Sequence, residues 1–594
     1  MPKDQLIIAG ASGFWGEAPH ATAQLLHYPG LEFLVYDYLA EITMSIMARA
    51  RMKDPALGYA SDFVTDAMVG NLAEIAEKGV KVLSNAGGVN PTACAEALRT
   101  AIEAAGLDLK VAIVEGDDLT SRAAEFTGYR EMFDGTAFPD PSKVASVNAY
   151  LGAFPVAAAL DAGADIVITG RCADSALALA ACIHRFGWAP GDHDRLAAGS
   201  LAGHLLECGP QSTGGNFTDW ELSGDIAEIG YPVAIVDAEG NFDITKPDGT
   251  SGIVSRSSVG EQMLYEIGDP QAYVLPDVVC DFSHVALEQA GEDRVRITGA
   301  RGRAPTGRLK VSATFMDGYR AGFVFQFNGR KAREKARVFA EAGLKRARTR
   351  LKELGAPDYS ETAIECFGDS PGGKGDEEIC VKAAVRHADA RAVGLFLKEI
   401  TGCALATPPG LHFFTGAGRP KPSPVVRLFS FLIAAGDVPV RVSLDGNDIG
   451  HKGTAPTLHD DVAPERPAPP RPPAGADLVT RRLEDLAWAR SGDKGNDANI
   501  GVMARRSEYL PWIWRSLTDD AIASAFAPYL QGGVERFFMP GIHGMNIVMH
   551  NVLGGGGVAS LRNDAQGKAF AQTLLALPIA LPAILADNAA TGER

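Results

Sequence analysis

The sequence has little cysteine chemistry to offer. Its eight cysteines, at 94, 172, 182, 208, 280, 366, 380 and 403, are scattered, and no CxxC pair gives metal or redox spacing. Reduced, mostly buried thiols are expected. An excess of positive charge is also missing. The net charge is −17, which argues against a nucleic-acid binder, because phosphate binding draws on clustered Lys and Arg. No stretch reaches the ~18 uninterrupted apolar residues of a membrane span, and the opening "MPKDQLIIAGASGFWGE" has too short an apolar run for a signal peptide. A cytoplasmic protein with neither membrane nor nucleic-acid partner is the expectation. The histidines form no HxH or HExxH, so no metal site is expected, and no GxSxG elbow supports serine-hydrolase chemistry.

What is present is material for large cores. A chain of 594 residues, 46% apolar and 22% charged, exceeds what one core usually serves. The proline-rich "VAPERPAPPRPPAGAD" (462–477) reads as a semi-rigid spacer between residues 1–461 and a C-terminal α+β domain, 478–594. In the first 180 residues the apolar runs "QLIIAG", "LEFLVYD", "VKVLSNAGG", "KVAIVEGDD" and "ADIVITGRCAD" alternate with amphipathic stretches. That alternation predicts an α/β fold with a doubly wound, mainly parallel sheet. Beyond it, strand-like 294–316 and helices over 331–355 and 391–410 predict an α+β extension, with a possible subdivision near 200–300.

Each of the five strands ends in a polar or Gly-rich cluster, and ligands of open parallel sheets bind beyond the carboxyl ends of strands. Ser12, Asp37, Asn85, Glu115 and Arg171 are therefore expected to line one cleft. "GASGFWG" supplies Ser12 and Gly13 with a GxxGxxG spacing, and "NAGGVNP" supplies Asn85, Gly87, Gly88 and Asn90. A nicotinamide fold is disfavoured, because Tyr150 is followed four positions on by Phe154 rather than Lys, and Phe14 and Trp15 crowd the glycines. A phosphate or carboxylate at the helix start stays open. Glu115, Asp117 and Asp118 read either as an acid/base or cation cluster or as a solvated helix cap. Arg171 and Asp174 read as an anion clamp or a structural ion pair. The loop "ECGPQSTGGNFTDW", with Gln211, Gly214, Gly215 and Asn216, is rich in neutral donors suited to a carbonyl or hydroxyl substrate. Arg301 and Arg303, with Arg308 and Lys310, could meet the phosphates of an anionic ligand such as coenzyme A, or form a solvated face.

The densest polar stretch is "ARSGDKGNDANIGVMAR" (489–505). Asp and Asn bond to their own backbone, and Gly492 and Gly495 permit positive φ, so "SGDKGND" is expected to make a tight turn between two strands. Such a turn does not need Lys494. A lysine held there among Asp493, Asp497 and Asn499 is an oriented amine, expected to face a cleft of its own chain or of a neighbouring subunit.

With "GASGFWGE", "VYDYLAEITMSIMARARMKDPALGYA", "SNAGGVNP", "ADIVITGRCADSA", "LECGPQSTGGNFTDW", "SVGEQMLYEIGDPQAYVLPDVVCDF", "ARGRAP" and "SGDKGNDANIGVMAR" together, the chain resembles the acyclic terpene utilisation protein family AtuA from residue 5 to about 582. The resemblance implies a large AtuA domain followed by a smaller module carrying the "SGDKG" turn, and a place in the breakdown of citronellol- and geraniol-type terpenes or related branched acyl-CoAs. It implies positions rather than roles: Ser12, Asp37, Glu41, Asn85, Asn90, Arg171, Asp174, Gln211, Asn216, Asp493, Lys494 and Asn499 lie within its motifs. The leading expectation is a homo-oligomeric hydratase or lyase acting on a branched acyl-CoA or hydroxy acid, with Asp37, Glu41, Glu115, Asp174, Asp493 and Lys494 as the acid/base groups and coenzyme A entering as part of the substrate. A non-catalytic acyl-CoA scaffold and a nucleotide-dependent oxidoreductase are the rival readings.

Overall fold

The computed structural model describes residues 4–590 except 18, 369–377, 414–417, 451–456, 463, 474–476 and 558. The chain packs into two compact units that do not follow sequence order: Met1–Thr314 with Leu428–His550 and Lys568–Arg594, and Phe315–Arg427 with Asn551–Gly567. The division falls inside two long strands, Arg308–Asn328 and Ser423–Ala434.

In the first unit the five expected strands stand side by side and parallel, in the order Gln5–Ser12, Phe33–Tyr36, Lys81–Ser84, Ile166–Thr169, Val111–Glu115. Their apolar runs are continuous because both faces are covered. Leu34, Tyr36, Val82, Ile113 and Ile168 enter a core closed by Met47, Phe63, Ile75 and Leu98 from the helices beneath, while the helix Ala176–Phe186 packs on the first two strands from the other side. The expected mainly parallel, doubly wound sheet needs correction. Among the described residues the sheet has eleven strands and is mixed. An antiparallel meander, Val233–Asp237, Phe242–Thr245, Arg294–Thr298 and Ala286–Gly291, extends one edge, and Arg441–Leu444 with Asn447–Asp448 extends the other. These added strands are short and come from distant sequence, so periodicity in the first 180 residues could not reveal them.

The C-terminal segment forms a four-stranded antiparallel sheet in the order Ala487–Lys494, Asp497–Ala504, Gly544–Met549, Val534–Met539. A separate pair, Leu478–Arg482 with Pro578–Pro582, lies beside it in the chain. In the described part of the proline-rich stretch no helix or strand forms, yet Arg466 is tied to the body. It reaches Asp269 at 2.5 Å and lies 5.0 Å from the centre of the Phe537 ring.

The sheet of the second unit includes strands Glu361–Phe367, Glu378–His387, residues 315–328 of the long strand, and Leu411–His412. The helices Ala332–Glu353 and Ala390–Gly402 bury Phe339, Leu344, Phe396 and Ile400 against one face, which holds Phe325, Val381 and Val385. The second helix stops earlier than residue 410 because the chain turns at Thr401–Ala406. Among the described residues no helix is long and apolar enough to cross a membrane.

Candidate active site

The "SGDKGND" stretch is the tip of the hairpin Ala487–Lys494/Asp497–Ala504. Only Gly495, at φ +63°, uses the left-handed region. Gly492 has another reason to be small: a Cβ there would meet the Glu266 side chain at 2.4 Å and the Tyr265 ring at 2.9 Å. One face of the hairpin is thus pressed onto the segment 256–268. At Gly501 a Cβ would lie 2.2 Å from Leu264.

Polar groups lock that contact. Arg490, 4% exposed, pairs with Glu261, 1% exposed, at 3.1 Å, and donates to Gln211 Oε1, Gln262 Oε1 and the Gly215 carbonyl. Asn499 is buried, accepts from the Glu266 N–H at 3.0 Å and donates to the Leu264 carbonyl and to Asn546. Asp219 accepts from Trp488 and Arg505. The hairpin is therefore fixed over the carboxyl end of the large sheet.

At that sheet edge three carboxylates gather. Asp37 follows the second strand, Asp174 follows the fourth, and Glu207 caps the helix His193–Leu206; an oxygen from each lies within 4.8 Å of the others. Asn85 donates to Asp37 at 2.5 Å and holds Tyr38 N–H with its oxygen. Arg171, 3% exposed, binds Asp174 at 2.8 Å and the Leu39 carbonyl, and its guanidinium lies 4.2 Å from the centre of the Tyr150 ring. Gly13 permits the approach of Glu207, since a Cβ would come within 2.9 Å of the Glu207 carbonyl. Ser12 is buried and bonds to the Phe14 carbonyl. Gly10 and Gly13 thus admit the backbone of residues 206–208, whereas a Cβ on Gly16, at φ +95°, would meet nothing within 4 Å.

Burial raises the Asp37 pKa well above the usual range, and Asp174 and Glu207 push it the same way against Arg171. Burial likewise raises Glu207, against His204 and Lys494. His204 turns Nε2 to the Gln262 carbonyl at 3.1 Å, so that nitrogen carries a proton, and its Nδ1 lies 3.2 Å from Glu207 Oε1. A proton between those two atoms removes an acceptor–acceptor contact. Lys494, with 37% of its side chain accessible, lies 3.8 Å from Glu266. Burial would lower its pKa, but Tyr273, Glu266, Asp174 and Glu207 together raise it. Lys568 binds Glu266 at 2.8 Å, Asp493 at 3.0 Å and the Tyr265 hydroxyl. Glu266 sits at φ +56°, a costly conformation for a non-glycine residue, which only a determined surrounding sustains. Burial of Glu266 is outweighed by Lys568 and Lys494, which lower its pKa, so the carboxyls that resist ionisation are Asp37 and Glu207. Arg171 and Lys494 beside those two can hold an anionic substrate while a carboxyl moves a proton. The three carboxylates are also the one group among the described residues placed to share a hard cation through oxygen ligands.

Several expected residues lie elsewhere. Glu115 pairs with Arg441 at 3.3 Å on the neighbouring strand. Its place is taken by Asp117, buried and accepting from Arg171 N–H and Asn148, both at 2.9 Å. Gly87 and Gly88 make room for the Thr169 carbonyl and Met47, and Asn90 ties down the carbonyls of Pro55 and Leu57. Gly214 packs on Ser223, and Asn216 is exposed at φ +53°. Arg301 and Arg303 are no phosphate patch, since Asp194 and Asp461 neutralise them at 2.8 and 2.6 Å. Glu41 opens the helix Glu41–Lys53, and its side chain lies outside the described residues. Glu207, Glu266, Tyr265 and Lys568 were missed. They stand in plain sequence, and only the fold of the hairpin onto residues 256–268 brings them to Lys494.

Asp117 gives a pH test of the site. Burial pushes its carboxyl up to about 7. The folded chain keeps this proton where the unfolded chain loses it, so its contribution to stability is greatest in acid and falls as pH rises from about 4 to about 7. Asp117→Asn can keep both acceptor bonds. Its stability relative to the parent is expected to improve by about 2–4 kcal/mol between those pH values, read from melting curves. A gap independent of pH would refute the assignment.

No curated protein and no solved structure matches the chain. Two family models do. The AtuA ferredoxin-like domain matches residues 481–580, in line with the small C-terminal sheet. The acyclic terpene utilisation family protein AtuA matches residues 6–444, which include Asp37, Arg171, Asp174, Glu207 and Glu266, and on that match the chain belongs to the AtuA family.

Proposed function

We propose that the chain is an enzyme of acyclic terpene utilisation that adds water to, removes water from, or cleaves a branched acyl-CoA or hydroxy acid. The observation that carries this reading is the meeting of Asp37, Asp174 and Glu207 with Arg171 and Lys494 under the C-terminal hairpin. Hydratase and lyase steps need an acid for the departing or arriving oxygen, a base for the carbon-bound proton, and positive charge where an enolate forms. A carboxyl kept protonated by burial serves as the acid, and a neighbour that ionises serves as the base. Arg171 and Lys494 supply the positive charge.

The test is turnover. The purified protein is incubated with citronellyl-, geranyl- and branched 3-hydroxyacyl thioesters, and products are resolved by mass. Gain or loss of water, or carbon–carbon cleavage, is expected with at least one of them, and Glu207→Gln is expected to lower the rate about 10²–10⁴-fold. Absence of turnover across this set, or a Glu207→Gln variant as fast as the parent, would sink the reading.

A further inference from the structure

The second unit carries a cavity of about 360 Å³ on the sheet face opposite its helices. Its floor is made by Gly322 and Ala384, which stand opposite each other across two strands. They leave a gap between longer side chains on the same face: Arg320 lies two residues to one side of Gly322, and Lys382 two residues to the other side of Ala384. Lys421 and Arg562 complete a lining with four cationic side chains and no carboxylate. In a chain with a net charge of −17 such a concentration needs a reason. Lys382 has a counterion, Glu365, at 2.5 Å. Arg320 bonds instead to a carbonyl, that of Ser560, which leaves its charge in place. Burial lowers the Arg320 pKa, and Arg386 adds to this while Glu361 opposes it, with the net shift downward. Lys421 is exposed at the mouth. The segment carrying Ser560 and Arg562 is pinned over the face by its Asn563 N–H, which donates to Glu365 at 2.9 Å.

We infer that this cavity binds the diphosphate of a phosphorylated ligand, with Arg320, Lys421 and Arg562 as its cationic contacts. The small floor lets phosphate oxygens approach the strands, and the hydroxyls of Ser423 and Ser560 add neutral donors. Coenzyme A and a free nucleotide share this chemistry. The choice of coenzyme A rests on the acyl-CoA reading above, whereas the site itself does not.

The experiment is calorimetric titration of the full-length protein with pyrophosphate, ADP, coenzyme A and pantetheine. Saturable binding of the three phosphorylated compounds and none of pantetheine is expected. Lys421→Glu, at an exposed position, is expected to weaken their binding at least tenfold with an unchanged melting temperature, and Arg320→Gln to weaken it comparably. If ADP and pyrophosphate bind and respond to both variants while no acyl-CoA is turned over, the cavity stands and the acyl-CoA reading falls. No saturable binding of any phosphorylated compound up to about 1 mM, the weak end of specific association, would overturn the inference. So would affinities that neither variant changes.

Discussion

Lys494→Met is expected to lower turnover about 10²–10⁴-fold while costing less than about 2 kcal/mol of stability. The reason lies in what surrounds the amine. Its pKa is raised by Tyr273, Glu266, Asp174 and Glu207, so it stays an ammonium ion throughout the working pH range and is no proton-transfer base. What it provides is fixed positive charge at the carboxylate group, the kind of charge that stabilises a developing enolate or holds a substrate carboxylate. The loss of rate is therefore expected to be similar from about pH 6 to about pH 9, whereas loss of a proton-transfer group would reshape the pH profile. Stability suffers little because over a third of the side chain is accessible and its nearest carboxylate, Glu266, keeps Lys568. A variant that retains parental turnover would remove Lys494 from the site. One that fails to fold would be answered by Lys494→Arg, which keeps the charge and is expected to recover part of the rate.

What the sequence made legible follows the range of the interactions involved. The five parallel strands were readable because each is a local apolar run closed by a helix. The hairpin was readable because glycines among Asp and Asn mark a tight turn; Gly495 takes the positive φ expected of it, whereas Gly492 is small to admit Glu266 and Tyr265. Asp37, Asn85 and Arg171 were placed together by one rule, that strand ends of a parallel sheet converge, and they are linked: Asn85 bonds Asp37, and Arg171 binds Asp174, which lies beside Asp37. The same rule misplaced Glu115, which ends its strand paired with Arg441, because Gly116, at φ +106°, turns the chain so that Asp117 is the carboxylate that meets the Arg171 N–H and Asn148. Arg301 and Arg303 misled for a related reason: charge counted along a segment says nothing of the acidic residues that the fold brings opposite. Glu207 and Glu266 belong to a contact between segments more than two hundred residues apart, and no local pattern marks such a meeting.

Arg490→Met is expected to be the most destabilising single change at this site, by about 3–5 kcal/mol. The substitution leaves Glu261, 1% exposed, without its guanidinium, and also strips Gln211, Gln262 and the Gly215 carbonyl of a donor. Burial already raises the Glu261 pKa, and Arg490 is the charge that opposes the rise. Without it the carboxyl takes up a proton, so the damage is expected to shrink in acid and to be largest above neutral pH. The paired change Glu261→Leu with Arg490→Met removes both charges and fills similar volume, and such replacements of buried pairs are often neutral or better. It is expected to recover most of the lost melting temperature. Recovery of fold need not bring recovery of activity, since Arg490 also fixes the loop 211–215 and, through the hairpin, the position of Lys494. The double-mutant cycle separates these effects: thermal or denaturant unfolding reads the coupling between the two residues, and turnover reads the placement of the hairpin. If Arg490→Met melts with the parent, the guanidinium is not what holds the C-terminal module onto the sheet edge, and the candidate site loses the anchor that assembles it.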